Sequence, residues 1–171
     1  MNKSNIMHIT TTEILAIREL DIIIRKSYGA NLQECYANWA LTQLSNGLSS
    51  NSLSILAGLT WKDNYFEADI FFLNALKELD IAIPPPQVSI KNFAIAVCKK
   101  ILNEEISTEQ GCKVLADIFI ETSDNDYTYW YNLQNNDYRN YLTEEEYRRR
   151  FDKEVKKEAQ SFLDAPQKKI V

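Results

Sequence analysis

The sequence contains few of the residues that interrupt helices. Only four of its 171 residues are glycine and only four are proline, and three of the prolines are consecutive, at positions 84–86. A β-sandwich or β-barrel needs Gly- and Pro-rich turns at short, regular intervals, and this composition does not supply them. The shortage of both residues therefore favours helices.

Histidine and the common catalytic motifs are also scarce. The single histidine, His8, lies in residues 1–9, which we predict to be a loose arm. Without a second histidine the chain cannot form an HExxH zinc site or the paired Glu-x-x-His motifs of a di-iron bundle. Neither GxGxxG nor the P-loop motif is present, so no nucleotide-binding loop is expected. We predict no catalytic residue and no cofactor, and we favour a function that is not enzymatic.

Basic residues are fewer than acidic residues. The chain has 19 Lys and Arg against 24 Asp and Glu, which gives a net charge of −5. Such a surface repels nucleic acid unless basic residues are segregated on one face. The basic run Arg148–Arg150 follows Glu144–Glu146 at the i, i+4 spacing of helical ion pairs, so it is neutralised along its own helix. We therefore expect another protein as partner, one of basic character, and no nucleic acid.

Cysteine is infrequent and long apolar runs are missing. Cys35, Cys98 and Cys112 have no CxxC spacing and fall at apolar helix positions, so we expect buried, reduced thiols in a cytoplasmic protein. No apolar stretch reaches about 18 residues, and residues 1–12 contain no long apolar run. We therefore predict no transmembrane helix, no signal peptide and no membrane partner.

What the chain does contain is helical periodicity, clearest in the stretch Ser89–Glu121. Apolar residues recur there at i, i+3, i+4 and i+7 in two segments, which a polar turn at Glu104–Ser107 separates. Additional apolar residues widen both stripes and indicate helices that are covered on more than one side. We predict a central αα-hairpin whose helices have N-caps at Ser89 and Ser107.

Cap signals delimit the flanking helices. Thr10 with Glu13, and Thr143 with Glu146, have the spacing of a capping box, which marks a helix start. Gly47 and Gly58 fit the ends of two further helices. The predicted flanking helices extend from Thr10 to about Ser27, from Leu32 to Leu44, from Leu53 to Ala57, from Tyr65 to Leu79 and from Thr143 to Phe162.

These segments predict one all-α domain over residues 1–171, a single compact bundle of six to eight helices. Residues 84–88 form a proline-rich connection within it, and residues 164–171 a loose tail. Leu44–Ser50 also resembles Leu102–Thr108 in sequence. This internal echo fits either a duplicated helix-turn-helix pair or a chance repetition of common turn residues.

The most unusual stretch is acidic and aromatic. Six Tyr and Trp residues fall between positions 127 and 141, and we predict an ordered loop at Asp124–Asn136. Tyr and Trp bury large areas at little cost in rotamer entropy, so they suit binding surfaces, where nearby acids would steer a basic partner. The alternative is that the rings fold back and seal the end of the core. The predicted partner-binding residues are Tyr127, Tyr129, Trp130, Tyr131, Asp124, Asp126 and Asp137.

Two alternative functions stay open. Glu121, Asp124 and Asp126 are weak candidates for a divalent-metal site, which would serve a carboxylate-based enzyme, although their spacing is not that of an EF-hand. A solvated acidic helix end explains the same three residues without a metal. The other alternative is a homodimeric helical scaffold, paired through the apolar stripe between Tyr147 and Phe162 on the last helix.

In general character the chain resembles the small acidic helical immunity proteins of bacterial toxin systems. The resemblance rests on the acidic balance, the all-helical pattern, the small size, the lack of catalytic groups and the acidic aromatic stretch. It includes no shared motif and so assigns no role to an individual residue. It implies binding to a cognate toxin, whose active site or access route would be blocked.

Overall fold

The computed structural model describes residues 10–20, 32–59, 65–135 and 142–165. Within these ranges the chain forms eight α-helices and one turn of 3₁₀ helix, without a β-strand, so the all-α prediction is confirmed. None of the helices described is both long enough and apolar enough to cross a membrane. The helices are α1 (Thr11–Glu19), α2 (Leu32–Ser45), α3 (Asn51–Gly58), α4 (Tyr65–Glu78), α5 (Pro86–Leu102), α6 (Thr108–Thr122), α7 (Thr128–Gln134) and α8 (Glu144–Asp164), with the 3₁₀ turn at Asn125–Tyr127.

Helix α1 connects two groups of helices. It packs against α2, and α2, α3 and α4 pack against one another. It also packs against α5, which contacts α6 and α8, while α6 packs along α7 and against α8. The buried residues of both groups belong to one hydrophobic core. The predicted hairpin, now α5 and α6, therefore lies at the centre of the second group.

The two hairpin helices approach each other closely at Gly111. A Cβ atom at this position would lie 2.4 Å from Cγ1 of Ile101, so a larger residue would require the buried Ile101 side chain to move. Glycine carries no Cβ and permits this approach. Gly111 therefore sets the separation between α5 and α6.

The turns that follow α2 and α5 share one geometry. Gly47 and Glu104 both adopt the left-handed conformation, with φ of 85° and 59°. The residue that follows each of them, Leu48 or Glu105, donates its backbone N–H to the carbonyl oxygen five residues earlier. This is the hydrogen-bond pattern of a Schellman motif. The following helix is capped three residues after the left-handed residue, by Ser50 and by Ser107. The two similar sequence segments thus form turns of the same conformation.

Two predicted boundaries are wrong. Helix α1 ends at Glu19, because the backbone of Leu20 is already extended, and the part of its predicted range at 21–27 lies outside the described residues. Helix α5 begins at Pro86 and not after Ser89, because proline fits the first helical position, where no N–H donor is required. Ser89 is instead buried inside α5. The predicted arm at 1–9 and the last part of the predicted tail, 166–171, lie outside the described residues.

Helix α8 uses its apolar stripe within the chain. Val155 and Ala159 are fully buried, and Phe151 and Phe162 are partly buried against the core. The helix packs on α5 and α6. Of the face that a homodimeric scaffold would use, the part at Val155 and Ala159 is therefore covered by the protein's own helices.

The acidic start of α8 forms both ion pairs and a cap. Arg148 lies 2.9 Å from Glu144, and Arg149 lies 3.9 Å from Glu145, as the spacing predicts. The Glu146 carboxylate accepts hydrogen bonds from the N–H and the hydroxyl of Thr143, so the predicted capping box is confirmed.

A buried carboxylate joins α1 to α5. Glu13 is 1% exposed, and its Oε1 lies 2.5 Å from Nζ of Lys100. Its Oε2 accepts hydrogen bonds from the N–H and the hydroxyl of Thr10, at 2.8 and 2.9 Å. The residue that the sequence identified as part of a capping box therefore also carries a contact between helices.

A second carboxylate joins three helices of the other group. Asp69 on α4 accepts two hydrogen bonds from Arg18 on α1, at 2.7 and 3.1 Å, and one from the hydroxyl of Tyr36 on α2, at 2.7 Å. The Tyr36 ring stacks on Phe72, with centroids 4.5 Å apart. Helix α1 is therefore held by two charged contacts, one to α5 through Glu13 and one to α4 through Arg18.

Replacing Glu13 with glutamine should destabilise the fold at neutral pH. Burial opposes ionisation of Glu13, but the hydrogen bonds from Lys100 and Thr10 and the charge of Lys100 outweigh it and lower its pKa. Its charge therefore stabilises the fold above the unfolded-state pKa of about 4.3, and this contribution is lost as the pH falls through the lower folded-state pKa. We expect Glu13→Gln to reduce the free energy of unfolding by about 3 kcal/mol at pH 7.

Denaturant unfolding at pH 7 and at about pH 3 checks this prediction, because the difference from the native protein should shrink in acid. Glu145→Gln is the matched control, since the Glu145 side chain is 91% exposed. Equal unfolding midpoints for the two variants at pH 7 would contradict the stabilising role of the buried carboxylate.

Candidate functional site

The predicted aromatic loop is helical. Asn125–Tyr127 forms the 3₁₀ turn and Thr128–Gln134 forms α7, so the prediction of an ordered loop at Asp124–Asn136 is wrong. The sequence did contain a helix signal here, because Tyr127, Trp130 and Tyr131 have the i, i+3, i+4 spacing of one helix face. Helix α7 has only seven residues, too few for this period to repeat.

The structure divides the predicted aromatic anchors between the core and the surface. Trp130 is fully buried, and Tyr127 is 3% exposed, with its ring centroid 5.9 Å from that of Phe162 on α8. Burial raises the pKa of the Tyr127 hydroxyl, and the charges of nearby acids add to this effect. Tyr131 is partly buried, whereas Tyr129 is 44% exposed. Tyr127 and Trp130 thus seal the core, whereas Tyr129 lies at the surface.

A tight reversal at the end of α6 positions the acidic residues. Ser123 adopts the left-handed conformation and ends the helix. The Asp124 carboxylate then accepts the backbone N–H of Asp126 at 3.0 Å and so caps the 3₁₀ turn. Both aspartates are exposed. We call residues 124–129 the acidic turn.

The acidic turn borders a cavity of about 510 Å³ at the start of α5. Its walls combine apolar surface with groups of both charges, as ligand and partner sites commonly do. Two predicted binding acids, Asp124 and Asp126, are part of this lining together with the buried Tyr127. The lining residues are Pro86, Gln87, Ile90, Lys91, Thr122, Asp124, Asp126 and Tyr127.

The charges around this cavity partly offset one another. Asp124 and Asp126 contribute two negative charges, and Lys91 contributes one positive charge. The N-terminus of α5 adds about half a positive charge through its helix dipole. Because its N-cap is Pro85, no side chain caps this helix start. The cavity can therefore receive a group that combines apolar surface with polar atoms.

The structure gives the metal alternative no support. Within the described ranges, no group of three or more His, Cys, Asp and Glu side chains is arranged to hold a metal ion. Of the three weak candidates, Asp124 and Asp126 are exposed, and Glu121 is partly buried in the last turn of α6. Asp124 already acts as the cap of the 3₁₀ turn.

The cysteines are structural. Cys35, Cys98 and Cys112 are free and buried, and burial raises the pKa of each to about 12. At neutral pH they are therefore thiols and not thiolates, so they are poor nucleophiles. Sγ of Cys112 donates a weak hydrogen bond to the carbonyl oxygen of Trp130, 3.7 Å away, which links α6 to α7.

No known protein family, no curated protein and no solved structure matches this chain. Asp124, Asp126 and Tyr127 meet at one cavity, and Trp130 belongs to the core beneath the acidic turn. The remaining predicted binding residue, Asp137, lies outside the described residues.

Alanine substitutions should separate the buried aromatic residue from the exposed one. We expect Trp130→Ala to reduce the free energy of unfolding by about 3–5 kcal/mol, because it removes a fully buried ring and leaves a cavity. Tyr129→Ala should change it by less than about 0.5 kcal/mol, because the Tyr129 side chain is 44% exposed and its removal leaves no cavity in the core. Denaturant unfolding monitored by circular dichroism measures both, and equal losses would contradict the placement of these two rings.

Proposed function

We propose that this chain is a non-enzymatic protein-binding module whose acidic turn binds a basic partner protein. The cavity beside the acidic turn is the observation that carries the proposal. It combines apolar walls with two exposed carboxylates, and its position coincides with residues that the sequence predicts for binding. The proposal uses neither the cysteines, which are buried, nor a metal site, since no group of side chains in the described ranges is arranged to hold a metal ion.

Each part of the acidic turn has a separate role in this proposal. Tyr129, which is 44% exposed, supplies a rigid aromatic contact of the kind that is common at interface hot spots. Asp124 and Asp126 steer a positively charged partner, and the net charge of −5 adds to this attraction at long range. Trp130 holds the turn in place from beneath, and Tyr127 does the same while also lining the cavity.

The proposed binding mode is consistent with the resemblance to bacterial immunity proteins. An immunity protein needs no chemistry of its own, because it inhibits a toxin by occupying the toxin's active site or the path to it. An acidic binding surface suits a toxin whose own site is basic. We therefore propose a toxin with a basic surface as the class of partner.

A triple variant of the acidic turn tests this function. Asp124→Asn, Asp126→Asn and Tyr129→Ala together remove the exposed acids and ring and leave the packed Trp130 unchanged. We expect the variant to keep its helical content and stability but to bind the partner about 30-fold more weakly, the equivalent of about 2 kcal/mol. Capture from lysate of the source organism at low and high salt, with mass spectrometry, provides the measurement, and capture should weaken as salt increases.

A second triple variant provides the control. Glu67→Gln, Glu145→Gln and Phe66→Ala remove the same number of charges and an aromatic side chain that is 73% exposed, on α4 and α8. This variant should retain the partner. If the control loses the partner while the acidic-turn variant retains it, binding occurs elsewhere and the proposal is wrong.

A further inference from the structure

The turn between α2 and α3 contains an asparagine in an unusual position. Asn46 is the one asparagine of the sequence that a glycine follows. Asn46 and Gly47 are both exposed, and Gly47 has a φ of 85°. Apart from its neighbours in the chain, no described residue would lie within 4 Å of a Cβ atom built on Gly47. The Asn46–Gly47 pair is therefore open to solvent and uncrowded.

The turn between α5 and α6 provides an internal comparison. Asn103 and Glu104 occupy the positions equivalent to Asn46 and Gly47, and they are also exposed. In both turns the residue after the asparagine donates its backbone N–H to the carbonyl oxygen three residues earlier, at 3.0 Å in the first turn and 3.1 Å in the second. The two backbones are therefore alike, and the two turns differ in the residue that follows the asparagine.

This difference controls a reaction between the backbone and the side chain. The backbone nitrogen of the residue after an asparagine can attack Cγ of the asparagine and close a five-membered ring. A Cβ atom on that next residue hinders the backbone rotation which brings the two atoms together. Glycine has no Cβ and rotates more freely than any other residue. Gly47 therefore permits a ring closure that Glu104 hinders.

We infer that Asn46 is a site of spontaneous deamidation in the folded protein. The Gly47 nitrogen loses its proton and bonds to Cγ of Asn46, and the side-chain nitrogen of Asn46 leaves as ammonia. Water then opens the resulting succinimide at either of its two carbonyl carbons. The products are aspartate and isoaspartate at position 46. The reaction consumes water alone and requires no oxidant, reductant or enzyme.

Both products change the end of α2. The C-terminus of a helix carries about half a negative charge, so a new carboxylate at position 46 is unfavourable there. Isoaspartate also inserts a carbon atom into the main chain just before Gly47. The N–H of Leu48, which donates to the carbonyl oxygen of Gln43 at 3.1 Å, then no longer reaches it in the same geometry. Deamidation therefore loosens the turn between α2 and α3, which lies in the other group of helices from the acidic turn.

Folding slows this reaction but does not prevent it. The N–H of Gly47 must leave the carbonyl oxygen of Leu44 before its nitrogen can attack. One exposed hydrogen bond contributes little net stability, so Asn46 should react about twofold to tenfold more slowly in the folded chain than in the denatured chain.

Ageing of the full chain at mildly alkaline pH tests the site. After about four weeks at about 37 °C, the chain is digested and its peptides are sequenced by mass spectrometry. We expect Asn46 to gain about 1 Da and to give separate aspartate and isoaspartate peptides, while Asn103 stays unchanged. An intact Asn46, or equal conversion of Asn46 and Asn103, would overturn the site.

Two variants test the role of glycine. Asn46→Gln keeps the amide but would need a less favourable six-membered ring, so this position should stay unmodified. Glu104→Gly combined with Glu105→Leu copies residues 47 and 48 into the second turn, and Asn103 should then deamidate. An inert Asn103 in this double variant would contradict glycine as the determinant.

The same ageing in guanidinium chloride measures the effect of the fold. Conversion of Asn46 in both states, faster in the denatured chain, is the expected result. A denatured chain that reacts beside a folded chain that does not would show that the turn protects Asn46, and the inference would be wrong.

Discussion

Helix α1 is tied to α5 by a carboxylate that water hardly reaches. Glu13 is 1% exposed and faces Lys100 at 2.5 Å, and a charge at this depth is tolerated only while its partner stays in place. Five residues later, Arg18 binds Asp69 on α4. A helix of nine residues therefore carries charged contacts to both groups of helices, and it fixes α5, whose first turn forms one wall of the cavity beside the acidic turn.

The site depends equally on how closely α6 approaches α5. Gly111 permits this approach, because any Cβ there would overlap with Ile101. The close contact brings the end of α6 to the start of α5, where Asp124 and Asp126 border the same cavity as Ile90. At the other end of α6, its first turn meets α8 through the hydrogen bond from Thr108 to Asp152. The cavity beside the acidic turn is therefore a consequence of how the central hairpin packs.

Local patterns in the sequence predicted most of the helices. They could not reveal which helices contact one another. The capping boxes at Thr10 and Thr143 act within four residues, so their spacing is visible in the sequence. The burial of Trp130 depends on how α7 packs along α6, and an aromatic residue suits a core and a surface equally well. For the same reason, the sequence shows that Asp124 and Asp126 lie beside aromatic residues, but it does not show that they border a cavity at the start of α5.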